Sequence, residues 1–130
     1  MIKSQKGQGL VEFALTFTLL AILLFGIMDF GRVLYMNLAL EHASREGARI
    51  ASLGADDITI IDTTVDAAVG VAISDDHITL TPETDRESGE YASVTINYEV
   101  SFITPLTALM QSALMEDTLE LTSETVMRVE

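Results

Sequence analysis

Hydrophobicity along the chain changes period several times, and each change marks an element. From Phe13 to Met28 no residue is charged, and extending the run back to Leu10 admits only Glu12. A run of this length and composition suits a single membrane-spanning helix, which needs roughly 17 to 25 apolar residues. A cleaved signal peptide would share Lys3, Lys6 and the apolar centre, but it should end in a small-residue cleavage site and a break. Here the run passes instead into DFGRVLYMNLALEHASREGARIA, which holds a helical pattern with no proline. A buried core helix is disfavoured because only about 80 residues remain to cover it. Beyond Met28, residues Met36, Leu40, Ala43, Gly47 and Ile50 recur at spacings of three or four and form one apolar stripe. The pattern predicts one helix over 8–53, roughly 65 Å long, with about residues 10–28 in the membrane.

Leu53, Gly54, Ala55, Asp56 and Asp57 then supply a stop, a glycine followed by a charge cluster. Asp62 is the expected cap of a second helix with Val65, Ala68, Val69 and Ala72 on one side. After Ser74, Asp75 and Asp76 the period falls to two. Tyr91, Ser93, Thr95, Asn97, Glu99 and Ser101 alternate with Ala92, Val94, Ile96, Tyr98, Val100 and Phe102, the pattern of a half-buried strand. With His77 to Thr81 this predicts a hairpin. Pro105 is placed to start a short helix over TPLTALMQSALM. DTLELTSETVMRVE offers a third strand with Leu119, Leu121, Ser123, Thr125, Met127 and Val129 on one face. The expected fold class is α+β: a long N-terminal transmembrane and amphipathic α-helix, then a head at 54–130 of one or two short helices on a roughly three-stranded antiparallel sheet.

Charge sharpens the division. Residues 51–130 carry 16 acids and 2 bases, net −14, whereas residues 1–50 carry 4 acids and 5 bases, net +1. An acidic head with no basic stripe repels phosphate backbones, so nucleic acid is not an expected partner. Lys3 and Lys6 precede the apolar run, which by the positive-inside rule leaves the N-terminus cytoplasmic and the head outside. The chain has no cysteine, which removes disulfides, thiolate metal sites and a cysteine nucleophile.

Chemistry-bearing constellations are sparse. His42 and His77 have no zinc spacing between them, and Ser44, Ser52 and Ser74 lie in no nucleophile-elbow context. No catalytic residue, cofactor or metal site is expected, and an enzyme is disfavoured. Glu83, Asp85, Glu87 and Glu90 crowd one loop, but the loop lacks the EF-hand pattern and reads better as solvated than as a calcium site. Asp29 and Arg32, three apart where the helix should leave the membrane, mark a membrane boundary and can pair or meet headgroups. Arg45, Glu46 and Arg49 can pair along the helix or between subunits. The small residues Ala39, Ala43, Gly47 and Ala51 recur at a spacing of four and admit a close neighbour. That neighbour is either another subunit's helix or the chain's own sheet. Glu12 either sits at the interface and reaches water or has a charged partner.

The stretch KGQGLVEFALTF, with Gly7 followed five residues later by Glu12, resembles the cleavage site of type IV prepilins. GQGLVEFAL together with FGIMDFGRVLYMNLALEHASREGARIAS resembles the TadE family of pilin-like proteins from tight-adherence (Tad) pilus systems, over roughly residues 6–52. The resemblance implies a type IV pilin-like fold with a leader at 1–7, cut between Gly7 and Gln8 by prepilin peptidase. It implies that Glu12, the fifth residue after the cut, pairs with the new α-amine of a neighbouring subunit and sets filament register. Gln8 stands where the main pilin pattern has phenylalanine. The implied function is a structural pilin or minor pseudopilin that assembles into, or initiates, a surface filament for adhesion. The partners implied are other pilin subunits in a homo- or hetero-oligomer, the peptidase, the pilus assembly platform and the lipid bilayer. A single-pass position in the cytoplasmic membrane would precede a place in the filament. The alternative is a permanently membrane-anchored extracytoplasmic binding domain that never polymerises, which needs neither Gly7 nor Glu12.

Overall fold

The computed structural model describes residues 2–83, 85–105, 108, 112, 113 and 118–130, with backbone only for 2–5. The elements are α1 (Ile2–Ser52), α2 (Asp57–Ala67), a 3-10 turn (Asp75–His77), β1 (Ile78–Thr81), β2 (Tyr91–Ser101) and β3 (Thr118–Arg128). The long helix, short helix and three-stranded antiparallel sheet make an α+β arrangement. The short helix expected from Pro105 falls largely outside the described residues.

The described residues form two compact units. One comprises Met1–Arg32 with Phe102–Asp117, and the other Val33–Ser101 with Thr118–Glu130. The first holds the apolar part of α1. Its side chains from Leu10 to Phe30 are mostly exposed, Leu19 by 72%, and none of its most apolar window is buried. A soluble core helix would bury that surface. This one is long and apolar enough to cross a membrane, and a helix satisfies its own backbone there. The hydroxyls of Thr16 and Thr18 donate back to the carbonyls of Glu12 and Ala14, each at 2.8 Å, so neither needs water.

In the second unit α1 ends as its glycine predicts. Gly54 takes φ +76°, its N–H donates to Ala51 O, and the Ala55 N–H reaches Ile50 O, a Schellman closure of the last turn. The second helix differs from the expectation: it starts six residues earlier, and Asp56 rather than Asp62 is the cap. Asp56 Oδ2 accepts from the Thr59 N–H at 3.4 Å and Oδ1 from the Thr59 hydroxyl at 2.6 Å. Asp62 lies inside the helix, and the buried face is Ile60 and Thr64, continued by Ala68, while Val69 is exposed. The earlier start wins because Ile60, Thr64 and Ala68 sit four apart and bury three side chains, whereas a cap at 62 would leave Ile60 outside the helix.

The sheet order is β1-β2-β3. The first ladder runs from Ile78↔Ile96 to Thr81↔Ser93, the second from Tyr91↔Arg128 to Ser101↔Thr118. On β2 the alternation holds as read, with Ala92, Val94, Ile96 and Val100 inward. The core of this unit joins Leu40, Ala43, Ala48 and Ala51 of α1, Ile60 of α2 and Val94, Ile96 and Val100 of β2. Each large aliphatic side chain so buried contributes roughly 1.5–3 kcal/mol.

Candidate membrane and assembly site

The residues around the expected cleavage point lie on one uninterrupted helix. Among the described residues nothing lies within 4 Å of where a Cβ would stand on Gly7 or Gly9, so the described surface beside the Gly7–Gln8 bond is open. Glu12 is exposed, and the side-chain amide of Gln8 donates to its Oε1 at 3.3 Å. This is a one-turn pair, weak because the donor is neutral and the geometry long. Among the described residues Glu12 thus keeps most of its acceptor capacity unused. Phe13 and Phe17 stack one turn further on, with centroids 6.0 Å apart.

Asp29 is not displayed to solvent. It is only 4% exposed, and its carboxylate accepts from the Ile103 N–H at 3.4 Å and from the Thr104 hydroxyl. It thereby ties the chain just after β2 to α1 within the first unit. Arg32 is half-buried. Nothing in the local sequence pairs Asp29 with residues 74 and 75 positions away, so this link was beyond pattern reasoning.

Among the small residues, Ala39 is half-buried and Ala43, Gly47 and Ala51 are buried. What approaches Gly47 belongs to the chain itself: Thr64 of α2 and Val94 of β2. Beside this row Ser44, fully buried, hydrogen-bonds Ser123 at 3.0 Å and Thr125 at 2.8 Å on the inner face of β3. These hydroxyls satisfy one another, which explains polar residues at core positions of both elements. The signal was present as Ser44 inside the apolar stripe and as Ser123 and Thr125 at inward strand positions.

The acidic loop is organised by its arginine. The Arg86 side chain is 6% exposed and pairs with Asp57 Oδ1 at 2.7 Å, while donating to Ala55 O and Pro82 O at 3.4 and 3.3 Å. Among the described residues no three histidine or acidic side chains converge as a metal site would require. His77 accepts from the Ser74 N–H at its Nδ1 and packs on Tyr98, which makes it a turn cap, and His42 is exposed. Arg45 pairs with Glu41 and Arg49 with Glu46 along the exposed helix surface, where such pairs contribute little.

Neither a curated protein nor a solved structure matches the chain significantly. A family model described as TadE-like protein matches residues 7–49. That segment contains Gly7, Gln8, Glu12, Asp29, Arg32 and the small-residue row as far as Gly47, so the similarity to the TadE-like family runs along α1 from the expected cleavage point to Arg49.

Proposed function

We propose that this is a Tad pilus-associated, pilin-like structural protein: prepilin peptidase cuts it between Gly7 and Gln8, and it then enters or initiates a surface filament. The observation that carries the reading is Glu12. It is an exposed carboxylate at the start of an apolar, membrane-length helix, held among the described residues by the neutral amide of Gln8. A carboxylate carried into an apolar filament interior needs a cation close by, because attraction at about 4 Å grows several-fold as the medium dries. Cleavage creates such a cation, the α-amine of Gln8, once per subunit. Pairing it with Glu12 of a neighbour would fix the axial step without any contribution from the head. Before extraction the protein sits in the cytoplasmic membrane with its N-terminus inside and its acidic head outside, as Lys3 and Lys6 favour. Its work is structural rather than catalytic.

The test combines intact-mass and N-terminal peptide mapping of the membrane and sheared-filament fractions with a Glu12→Ala variant. The expected result is a terminus at Gln8 in the filament fraction and normal membrane insertion of Glu12→Ala. Its recovery in filaments should fall by roughly tenfold or more, the equivalent of about 1.4 kcal/mol per contact. An intact Met1 in the mature fraction, together with no effect of Glu12→Ala, would establish the permanently anchored domain instead.

A further inference from the structure

We propose that the outer edge of β3 is a docking site for an extended basic strand of a different protein, which joins the sheet as its fourth strand. The edge can be assigned from the chain's own bonds. The Val129 N–H donates to Glu90 O and the Gly89 N–H to Val129 O, both at 2.8 Å, so Val129 faces β2. The β2–β3 register is unbroken from Tyr91↔Arg128 to Ser101↔Thr118. Alternation along an antiparallel pair then turns the N–H and C=O of Glu120, Thr122, Glu124 and Val126 away from β2. Among the described residues no backbone bond crosses that edge. At 11 residues β3 is about twice the ordinary strand length, whereas β1, at the opposite edge, has 4. A long row of unpaired amides and carbonyls is a template for strand addition.

The side chains select the occupant. On the solvent face Glu120 and Glu124 stand four residues apart, with Thr122 between them, and all three are exposed. Glu120 is also the register partner of Glu99 on β2, another exposed carboxylate. Two like charges directly opposite each other are destabilising, and a cation laid beside them relieves both. A strand with lysine or arginine at positions four apart places one cation by each glutamate. Its alternate residues, apolar, run along the Leu121 and Met127 side of the sheet.

A second copy of this chain does not fit. Its residues 51–130 carry net −14, and its own Glu120 and Glu124 would enter the same face. A two-fold register centred on Glu124 sets Glu120 opposite Arg128 but forces Glu124 against its copy. Arg128 is moreover occupied, its Nε donating to Gly89 O at 3.3 Å. The carboxylates that bar self-pairing therefore set the charge of a legitimate partner. This holds whether or not the chain polymerises.

The test uses the full-length protein in a non-ionic detergent and labelled peptides that alternate valine with lysine, threonine and lysine. Controls carry glutamate for lysine, or the same residues shuffled so that the lysines fall on opposite faces. The expected result is saturable binding of the first peptide, roughly tenfold or more tighter than either control. Amide exchange at Glu120, Thr122, Glu124 and Val126 should slow on binding, with no change at Leu121 and Ser123, which already bond β2. Thr122→Pro removes an outward N–H, together with the exposed Thr122 hydroxyl's bond to Asn97 Oδ1 at 2.9 Å, leaves the β2–β3 backbone ladder in place and should abolish binding with the fold intact. Glu120→Lys with Glu124→Lys should transfer preference to the acidic peptide. Equal binding of the shuffled peptide, unchanged exchange at the edge, or binding retained by Thr122→Pro would each overturn the proposal. So would self-association of the protein through this edge.

Discussion

Thr64 of α2 lies directly against Gly47 of α1, so closely that a Cβ on Gly47 would overlap the Thr64 hydroxyl and stand 3.3 Å from Val94 Cγ1. The hydroxyl cannot swing away freely, because it donates to Ile60 O at 2.7 Å. Gly47→Ala therefore sets an overpacking cost of about 1–3 kcal/mol against a helix-propensity gain of up to about 1 kcal/mol. The cost wins, and the head should lose about 1–2 kcal/mol. Thermal unfolding of the full-length protein in detergent checks this. Adding Thr64→Ala should return part of the loss, since neighbouring sites couple. Gly26→Ala, where a Cβ meets nothing within 4 Å, should leave the head's unfolding temperature unchanged.

Arg86 provides a second case. Its buried guanidinium holds Asp57, Ala55 O and Pro82 O together, which fastens the loop before β2 to the start of α2. Arg86→Ala leaves two carbonyls and a carboxylate without this donor. Because the Asp57 side chain is 41% exposed and water can replace part of the interaction, the loss should be about 1–2 kcal/mol rather than the full value of a buried pair. Amide exchange across 83–90 should accelerate in step. Stability equal to the parent protein would show that the loop holds without its arginine.

Much of this fold was legible because its periods are long and clean. The charge-free run from Phe13 to Met28, the two-residue alternation of β2 and the glycine stop at Gly54 each state one element in local terms. Helix α2 was misplaced because two acidic residues, Asp56 and Asp62, both offer a cap, and only packing of Ile60 and Thr64 against α1 and β2 decides between them. The small-residue row announced a close neighbour but not whose, since a sheet and a second helix demand the same absence of side chain. Asp29 with Thr104, and Ser44 with Ser123, are joined across 75 and 79 positions, and no local pattern encodes such pairs. Around Gly7, Gln8 and Glu12 the sequence carries more than the isolated chain does, because the partner that the proposed function gives Glu12 would belong to another molecule.

The Asp56 cap predicts a pH dependence with a definite sign. The Thr59 hydroxyl, aided by the Thr59 N–H, holds the Asp56 carboxyl below its usual pKa of 3.8. A depressed carboxylate contributes stability that is present above the unfolded pKa and is lost as pH falls through the folded one. The contribution of this group should therefore be constant from neutral pH down to about 4 and disappear below that. Asp56→Asn keeps a capping oxygen but cannot titrate. Unfolding temperatures measured across this range should show a shallower acid limb in Asp56→Asn than in the parent. Parallel limbs would remove Asp56 from the account.

Asp29 separates two roles for the residue at the expected membrane exit. If its work is to hold the chain after β2, the relevant partners are the Ile103 N–H and the Thr104 hydroxyl, and burial makes them costly to strand. Asp29→Ala should then weaken that link by about 1–3 kcal/mol and speed exchange of the Ile103 amide by roughly tenfold or more. Asp29→Asn, which keeps an acceptor oxygen, should retain most of the protection. Exchange at Val94 and Ile96, in the other compact unit, should not respond. A headgroup-facing role predicts a different pattern: Ile103 indifferent to Asp29→Ala, but sensitive to replacing neutral lipid by anionic lipid around the full-length protein. The carboxylate's 4% exposure favours the first pattern, and the lipid exchange series distinguishes the two in one preparation.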